Sequence, residues 1–301
     1  MVIDKWLISK TKKKMKKIIY SLLFILPLFW VSCDKIEDDE KLVYLKGITT
    51  ETTPITETNS IQRVLLEDYT GWKCVNCPRA AAKATELIGT YGEQLVVMAV
   101  HSTAFASPLA SNNNVDFRTE YGEKWAVDFG CSSLPAGLIN RTKVGGAYTI
   151  GDANWDTQIQ STISTKEHLM DINLGAVYKE SYNKILVSTE NVFLKDVSYS
   201  TQINVVVLES GIVGVQLNSN TDYGTTPKIE DYVFNHVLRK NGLIGYPLSD
   251  SAVSKGTTIS TNYLVDVDTD IQDISKCTVV VFVTNSSTGE VIQVNQIHLS
   301  E

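Results

Sequence analysis

Glu67-Asp-Tyr-Thr-Gly-Trp-Lys-Cys-Val-Asn-Cys-Pro78 is the stretch on which the reading of this chain turns. Just before and into it, Val64-Leu-Leu-Glu-Asp-Tyr69 predicts a short apolar-aromatic strand. After it, Pro78 opens Arg79-Ala-Ala-Ala-Lys-Ala-Thr-Glu-Leu-Ile88, where proline in the first turn and alanine beyond it favour a helix. Gly89 and Gly92 end that helix. Cys74 and Cys77 therefore fall between a strand end and a helix start. A helix N-terminus carries roughly half a positive charge, which stabilises a thiolate at Cys74. Cysteines so placed titrate at about 3.5–7.5 instead of ~8.5. Cys77, one helical turn on, is placed to attack a mixed disulfide formed at Cys74.

The same spacing also serves as half a zinc site or as an inert structural disulfide. Zinc needs two more ligands, yet no second C-x-x-C is present, and His101, His168, His236 and His298 are scattered singly. The expectation is a cysteine pair with no metal and no cofactor. Whether it is a working redox pair or a permanent staple stays open.

Outward from this stretch, Leu95-Val-Val-Met-Ala-Val100 is a continuous apolar run that predicts a buried central strand. A helix is expected near Val115–Asp128, a strand at Gly137-Leu-Ile-Asn140 and a helix over Trp155–Thr165. Strand–helix alternation predicts an α/β domain over residues 61–168. Beyond His168 the texture becomes all-β. Strands are expected at Met170–Tyr178, Lys184–Phe193, Gln202–Leu208, Val233–Leu238, Asn262–Val267, Thr278–Thr284 and Val291–His298. Such a run without helical periods predicts an immunoglobulin-like β-sandwich over 169–301. Cys131 and Cys277 read as small buried residues.

The leader fixes the compartment. Lys16-Lys17 precedes the apolar run Ile18–Val31, which ends at Ser32-Cys33. A basic head, an apolar stretch and a small-residue exit predict a secretory signal over 1–33, with Met15 as the true start. Pro27 and the short run argue against a permanent spanning helix, which needs ~20 apolar residues. Cys33 stands at the acylated position of a bacterial lipobox, with Ser32 the fitting small residue before it. Asp34-Lys-Ile-Glu-Asp-Asp-Glu40 is similar to the acidic export signals of surface lipoproteins in Bacteroides-type bacteria, and 34–60 reads as an acidic, threonine-rich linker. The chain holds 27 basic and 34 acidic residues. Seven of the lysines but a single acid lie before Asp34, so the remainder is strongly acidic and excludes nucleic acid as a partner.

The segment around Cys74 resembles the strand–Trp–C-x-x-C–helix segment of the thioredoxin superfamily. That resemblance implies an α/β thioredoxin-like domain followed by the all-β immunoglobulin-like sandwich. It also implies catalytic roles for Cys74 and Cys77. Asp68 would be the buried acid that assists deprotonation of the second cysteine, and Pro135 of Ser133-Leu-Pro-Ala136 the cis-proline beside them. Lys73 between Trp72 and Cys74 departs from the pattern, as does Val75-Asn76 in place of Gly-Pro. The whole mature chain is similar to the outer membrane protein 28 family of Bacteroides-type lipoproteins. The carriers are Gly71–Pro78, Leu134-Pro135 and Tyr232-Val-Phe-Asn-His-Val-Leu-Arg239. Asp250-Ser-Ala252 is similar to the O-glycosylation sequon of these bacteria.

The expectation is an outer-membrane lipoprotein facing the periplasm or, preferably, the cell surface. Its partners would be the membrane, through the lipid on Cys33, and either protein thiols and disulfides or an extracellular ligand. Two functions follow. One is a thiol–disulfide oxidoreductase using Cys74 and Cys77; the other is a binding or adhesion protein in which their disulfide is structural.

Overall fold

The computed structural model describes residues 48–110, 115–267 and 270–299. The leader, Cys33 and the acidic stretch after it lie outside the described residues. Among those described, no helix is long and apolar enough to cross a membrane.

Val64–Thr70 forms β1, Cys77–Tyr91 α1, Leu95–His101 β2, Thr103–Ala106 α2, Glu120–Asp128 α3, Ala136–Ile139 β3 and Trp155–Thr165 α4. Nine strands follow: β4 (Met170–Lys179), β5 (Lys184–Phe193), β6 (Thr201–Glu209), β7 (Ile212–Leu217), β8 (Lys228–Phe234), β9 (Val237–Ser249), β10 (Thr258–Asp266), β11 (Cys277–Asn285) and β12 (Val291–His298). They build a seven-stranded mixed sheet of order β12-β11-β6-β9-β2-β1-β3, a three-stranded sheet β10-β5-β4 and a ribbon β7-β8.

The expected fold class, an α/β thioredoxin-like domain followed by a separate immunoglobulin-like sandwich, is corrected by this topology. Strands from both halves of the chain hydrogen-bond into one sheet. β1 pairs parallel with β2 and antiparallel with β3. β2 is joined in parallel to β9 at Ala99 and Val237, and β9 continues into β6, β11 and β12.

The physical reason lies in the strands themselves. In a sandwich, each strand buries one face and wets the other. Here Val279, Val280, Val281, Phe282 and Val283 are all buried. Val279, Val281 and Val283 pack with Ile203, Val205 and Val207 against the small sheet, on Ile172, Leu174, Ile185 and Val187. Val280 and Phe282, with Val206, Leu208 and Val294, share a core with Leu65, Val96, Met98, Val100 and Leu138. Trp125 and Ala126 of α3 cap that second core. On the opposite face of β1-β2-β3, Ala80, Ala84 and Leu87 of α1 and Trp155 and Ile159 of α4 cover Val64, Leu66, Val97 and Ile139. Gly137 is required there, because a Cβ would run into the Trp155 indole.

Residues 48–60, expected as a linker, run along the small sheet. Ile48 bridges to Tyr263 and Glu57 to Leu174. The segment expected as a strand over Val233–Leu238 breaks at Asn235-His236, where His236 takes φ 57°, and its two parts belong to β8 and β9.

A fragment ending at residue 168 loses Val206, Leu208, Val280, Phe282 and Val294 from its core. At about 1.5–3 kcal/mol for each buried side chain, that loss matches the whole stability of a domain, about 5–15 kcal/mol. The expected outcome is that the fragment 48–168 shows no cooperative thermal transition by circular dichroism, whereas the 48–301 chain unfolds in one.

Candidate functional site

The site grows from the C-terminal end of β1. Thr70 leads into Gly71, and the next residues close two tight turns, with Cys74 N–H donating to Gly71 O (2.9 Å) and Cys77 N–H to Cys74 O (3.1 Å). Gly71 is needed for the close approach, since a Cβ there would meet the Phe105 carbonyl at 2.6–2.7 Å. Lys73 N–H donates to that carbonyl (3.0 Å). The Lys73 side chain, which departs from the familiar pattern, has local work: its Nζ donates to Ala104 O (3.1 Å) and Ser107 Oγ (2.6 Å). Trp72 donates from Nε1 to Ser107 O (2.9 Å) and packs with Phe117, Ile212, Phe234 and Val237.

Cys74 and Cys77 are disulfide-bonded, with Cα atoms 5.4 Å apart. Cys77 begins α1, whose N-cap Asn76 gives no side-chain cap. Both cysteines are buried, at 3% and 2% exposure.

What covers them is the β7-β8 ribbon, inserted between β6 and β9. Leu217 N–H donates to Trp72 O (2.8 Å) and Ser219 N–H to Val75 O (3.1 Å), so the ribbon strand pairs with the cysteine loop. Gln216 is buried and donates from Nε2 to Cys74 O (3.0 Å). Among the residues read as site candidates, Asp68 lies on β1 opposite Gly137 of β3, and Pro135, after a cis bond from Leu134, just precedes that strand. The register puts both near the sheet end that carries the cysteine loop. Cys131 belongs to the core beneath α3, where burial pushes its thiol up to about 12. Cys277 is likewise buried in the other core, its thiol also up to about 12 for the same reason.

Behind the disulfide lies a cavity of about 450 Å³, bordered by Asp68, Cys77, His101, Gln216, Tyr232 and His236 among others. Asp68 is 3% exposed, and its Oδ1 has no hydrogen-bond partner among the described residues. Burial, reinforced by the charge of Asp152, raises its carboxyl to about 7. Asp152 itself is held by Arg79 of α1, from Nε (2.8 Å) and Nη2 (2.9 Å). His101 is buried edge-on to Phe117 and Phe234. Burial first, then the Arg239 charge, lowers it to about 3, so it is neutral at physiological pH. Among the described residues no three His, Cys, Asp or Glu gather as a metal would require.

Gln216, Tyr232 and His101 were not among the expected site residues. The β-branched run Ile212-Val-Gly-Val-Gln-Leu217 after Gly211 signals a strand, which would have placed Gln216 on a ribbon. Nothing local in the sequence places that ribbon over Cys74.

Fold and site together define a β-rich protein in which a mixed sheet carries a ribbon-covered C-x-x-C disulfide. Residues 123–301 match the sequence profile of the family described as outer membrane protein Omp28, and the chain belongs to that family of outer membrane proteins. Cys74, Cys77 and Asp68 precede the matched region. No curated protein matches the chain in sequence. Among solved structures, HBP35 of Porphyromonas gingivalis is similar in fold, with TM-score 0.53 and 15% identity over 81% of this chain and 77% of that one. A domain of the outer membrane lipoprotein Omp28 from Porphyromonas gingivalis aligns at TM-score 0.26 and 20% identity, over 43% of this chain and 88% of that one. A protein from Agrobacterium tumefaciens aligns at TM-score 0.47 and 10% identity, over 81% and 96%.

Asp68 has a raised carboxyl in the folded state, so its sign is opposite to that of a salt-bridged acid. Below its ordinary value of 3.8 both folded and unfolded chains hold the proton, and nothing is lost. As pH climbs towards about 7 the unfolded carboxyl ionises freely while the folded one cannot, so stability falls; above that the loss is constant. Asp68→Asn is expected to remove this slope. Urea denaturation from pH 4 to 8 should show the variant gaining on wild type by about 1.4 kcal/mol per pH unit over that interval and levelling off beyond it.

Proposed function

We propose that the protein is a lipid-anchored binding protein of the outer membrane in which the Cys74–Cys77 disulfide is a staple. The observation that carries this reading is the burial of both cysteines under the β7-β8 ribbon, whose main chain pairs with the cysteine loop. A nucleophilic cysteine has to reach a client disulfide in line, and Cys74 can do so only if the ribbon lifts. Membership of an outer membrane protein family supports the location. Acylation of Cys33 supplies the anchor, and the acidic stretch after it favours the cell surface over the periplasm. The ligand is extracellular in this reading, and the ribbon and cavity are the recognition elements.

The test is the reduction potential of the pair, combined with thiol trapping in cells. A value below about −300 mV is the signature of a structural bond and is expected here, with no client captured by Cys77→Ser. A higher potential together with trapped mixed disulfides overturns the proposal. Gln216→Ala, which loosens the ribbon, is expected to speed reduction of the disulfide by dithiothreitol about tenfold, as for a loss of ~1.4 kcal/mol, measured by alkylation and mass shift.

One observation favours the second reading, a thiol–disulfide oxidoreductase: Asp68 and Cys77 border the same cavity. In the reduced protein a Cys74 thiolate attacks a client disulfide, forming a Cys74–client bond and releasing one client thiolate. Asp68 takes the proton of Cys77, whose sulfur then attacks Cys74. The Cys74–Cys77 bond forms, the second client thiolate leaves, and the client is reduced as the protein is oxidised. Pro135 would shape the groove for the client chain.

A further inference from the structure

The register of β1 and β2 sets Asp68 opposite Ala99 and Thr70 opposite His101. Residues two apart share a face of a strand, so these four continue the face on which Leu66 and Val97 meet α1. Lower on that face, Ala84 and Leu87 close the packing. Higher up, Ala99 on the strand and Ala81 on the helix are too small to fill the gap, and a cavity of about 450 Å³ results. That volume falls within the range of about 300–1,000 Å³ typical of small-molecule sites. Tyr223 and Tyr232 reach it from the β7-β8 ribbon and its connection, and Phe234 and Asp222 complete that side.

Buried carboxylates are held by a partner or kept neutral. Asp68 has no partner for Oδ1 among the described residues, and none of the residues described as lining the cavity is a lysine or arginine. Arg79, next to the lining residue Pro78, is engaged on Asp152, and Arg239, whose charge reaches His101, is engaged on Glu209 at 3.1 Å. His101 is equally buried, and its Nδ1 is also without a hydrogen-bond partner among the described residues. An anion entering here would meet Asp68 and Asp222, with Asp152 close by. A cation would complete an ion pair that the fold leaves half built and would lie among aromatic rings, which attract positive charge. The start of α1 at Cys77 opposes a cation with roughly half a charge, less than the full charge that Asp68 carries once ionised.

We propose that this cavity binds an organic ammonium ion, with Asp68 as its counter-ion and Tyr223 and Tyr232 beside it. The inference rests on the binding role proposed above and names the ligand class of its cavity; the reduction potential tests that role, and the titration below tests the ligand.

Isothermal titration calorimetry on the full chain, disulfide intact, tests it with n-butylammonium, tetramethylammonium, 1-butanol and butyrate. Both ammonium ions are expected to bind at least about tenfold more tightly than the alcohol and the carboxylate. Asp68→Asn is expected to abolish that preference. Ala81→Leu fills the cavity from a partly exposed position on α1 and is expected to weaken binding of every probe, so it decides the matter if Asp68→Asn does not fold. Equal binding of n-butylammonium and 1-butanol, unchanged affinity in both variants, or no heat with any probe overturns the proposal.

Discussion

The amide of Ala99 donates to the carbonyl of His236 at 2.8 Å, and the arrangement of the molecule depends on this junction between β2 and β9. It joins three strands from the first half of the chain to four from the second. The bond alone contributes about 1 kcal/mol; its importance is positional. Once β9 lies beside β2, Val206 and Leu208 of β6 and Val280 and Phe282 of β11 join the same core as Val96, Met98 and Val100. The break at Asn235-His236 then sends β8 away from the sheet, so the β7-β8 ribbon stands over the C-terminal ends of β1 and β2, where the cysteine loop emerges.

The ribbon turns a loop that would otherwise be open into a covered one. Main-chain bonds from Leu217 and Ser219 and the buried amide of Gln216 occupy the carbonyls of Trp72, Val75 and Cys74. A client strand seeking the same loop would compete for these groups. The price of this arrangement is a set of buried polar atoms, Asp68 Oδ1 and His101 Nδ1 above all, without a hydrogen-bond partner among the described residues. Elsewhere the fold avoids that cost. Glu67, next to Asp68 but on the other face of β1, is held by Arg141 through two bonds of 2.8 Å, and the guanidinium rests against Trp125 and Phe282. Two adjacent acids thus have opposite fates because a strand alternates its faces: one meets a guanidinium in a closed core, the other an unfilled cavity.

Much of the local structure was legible in the sequence by itself. The apolar run Leu95–Val100, the proline-led alanine helix after Cys77 and the period of Trp155–Thr165 determined their elements, because burial pattern and propensity act over a few residues. The expected lipobox at Cys33 and the C-x-x-C spacing are equally local. Family membership also shows in the sequence, through residues 123–301. What the tertiary structure decided was partnership. Val279-Val-Val-Phe-Val283 fits one face of a sandwich or both faces of a shared sheet, and only long-range pairing selects the second. The same holds for Gln216 and Tyr232, which meet the cysteine loop and Asp68 from some 140–160 residues further along the chain. Asp68 could be read as a strand-end acid near two cysteines, but its burial, and an Oδ1 unpaired among the described residues, depend on which side chains the fold brings against it. Periodicity fixes which face a residue takes, whereas the neighbour on that face is set by the packing of the whole chain.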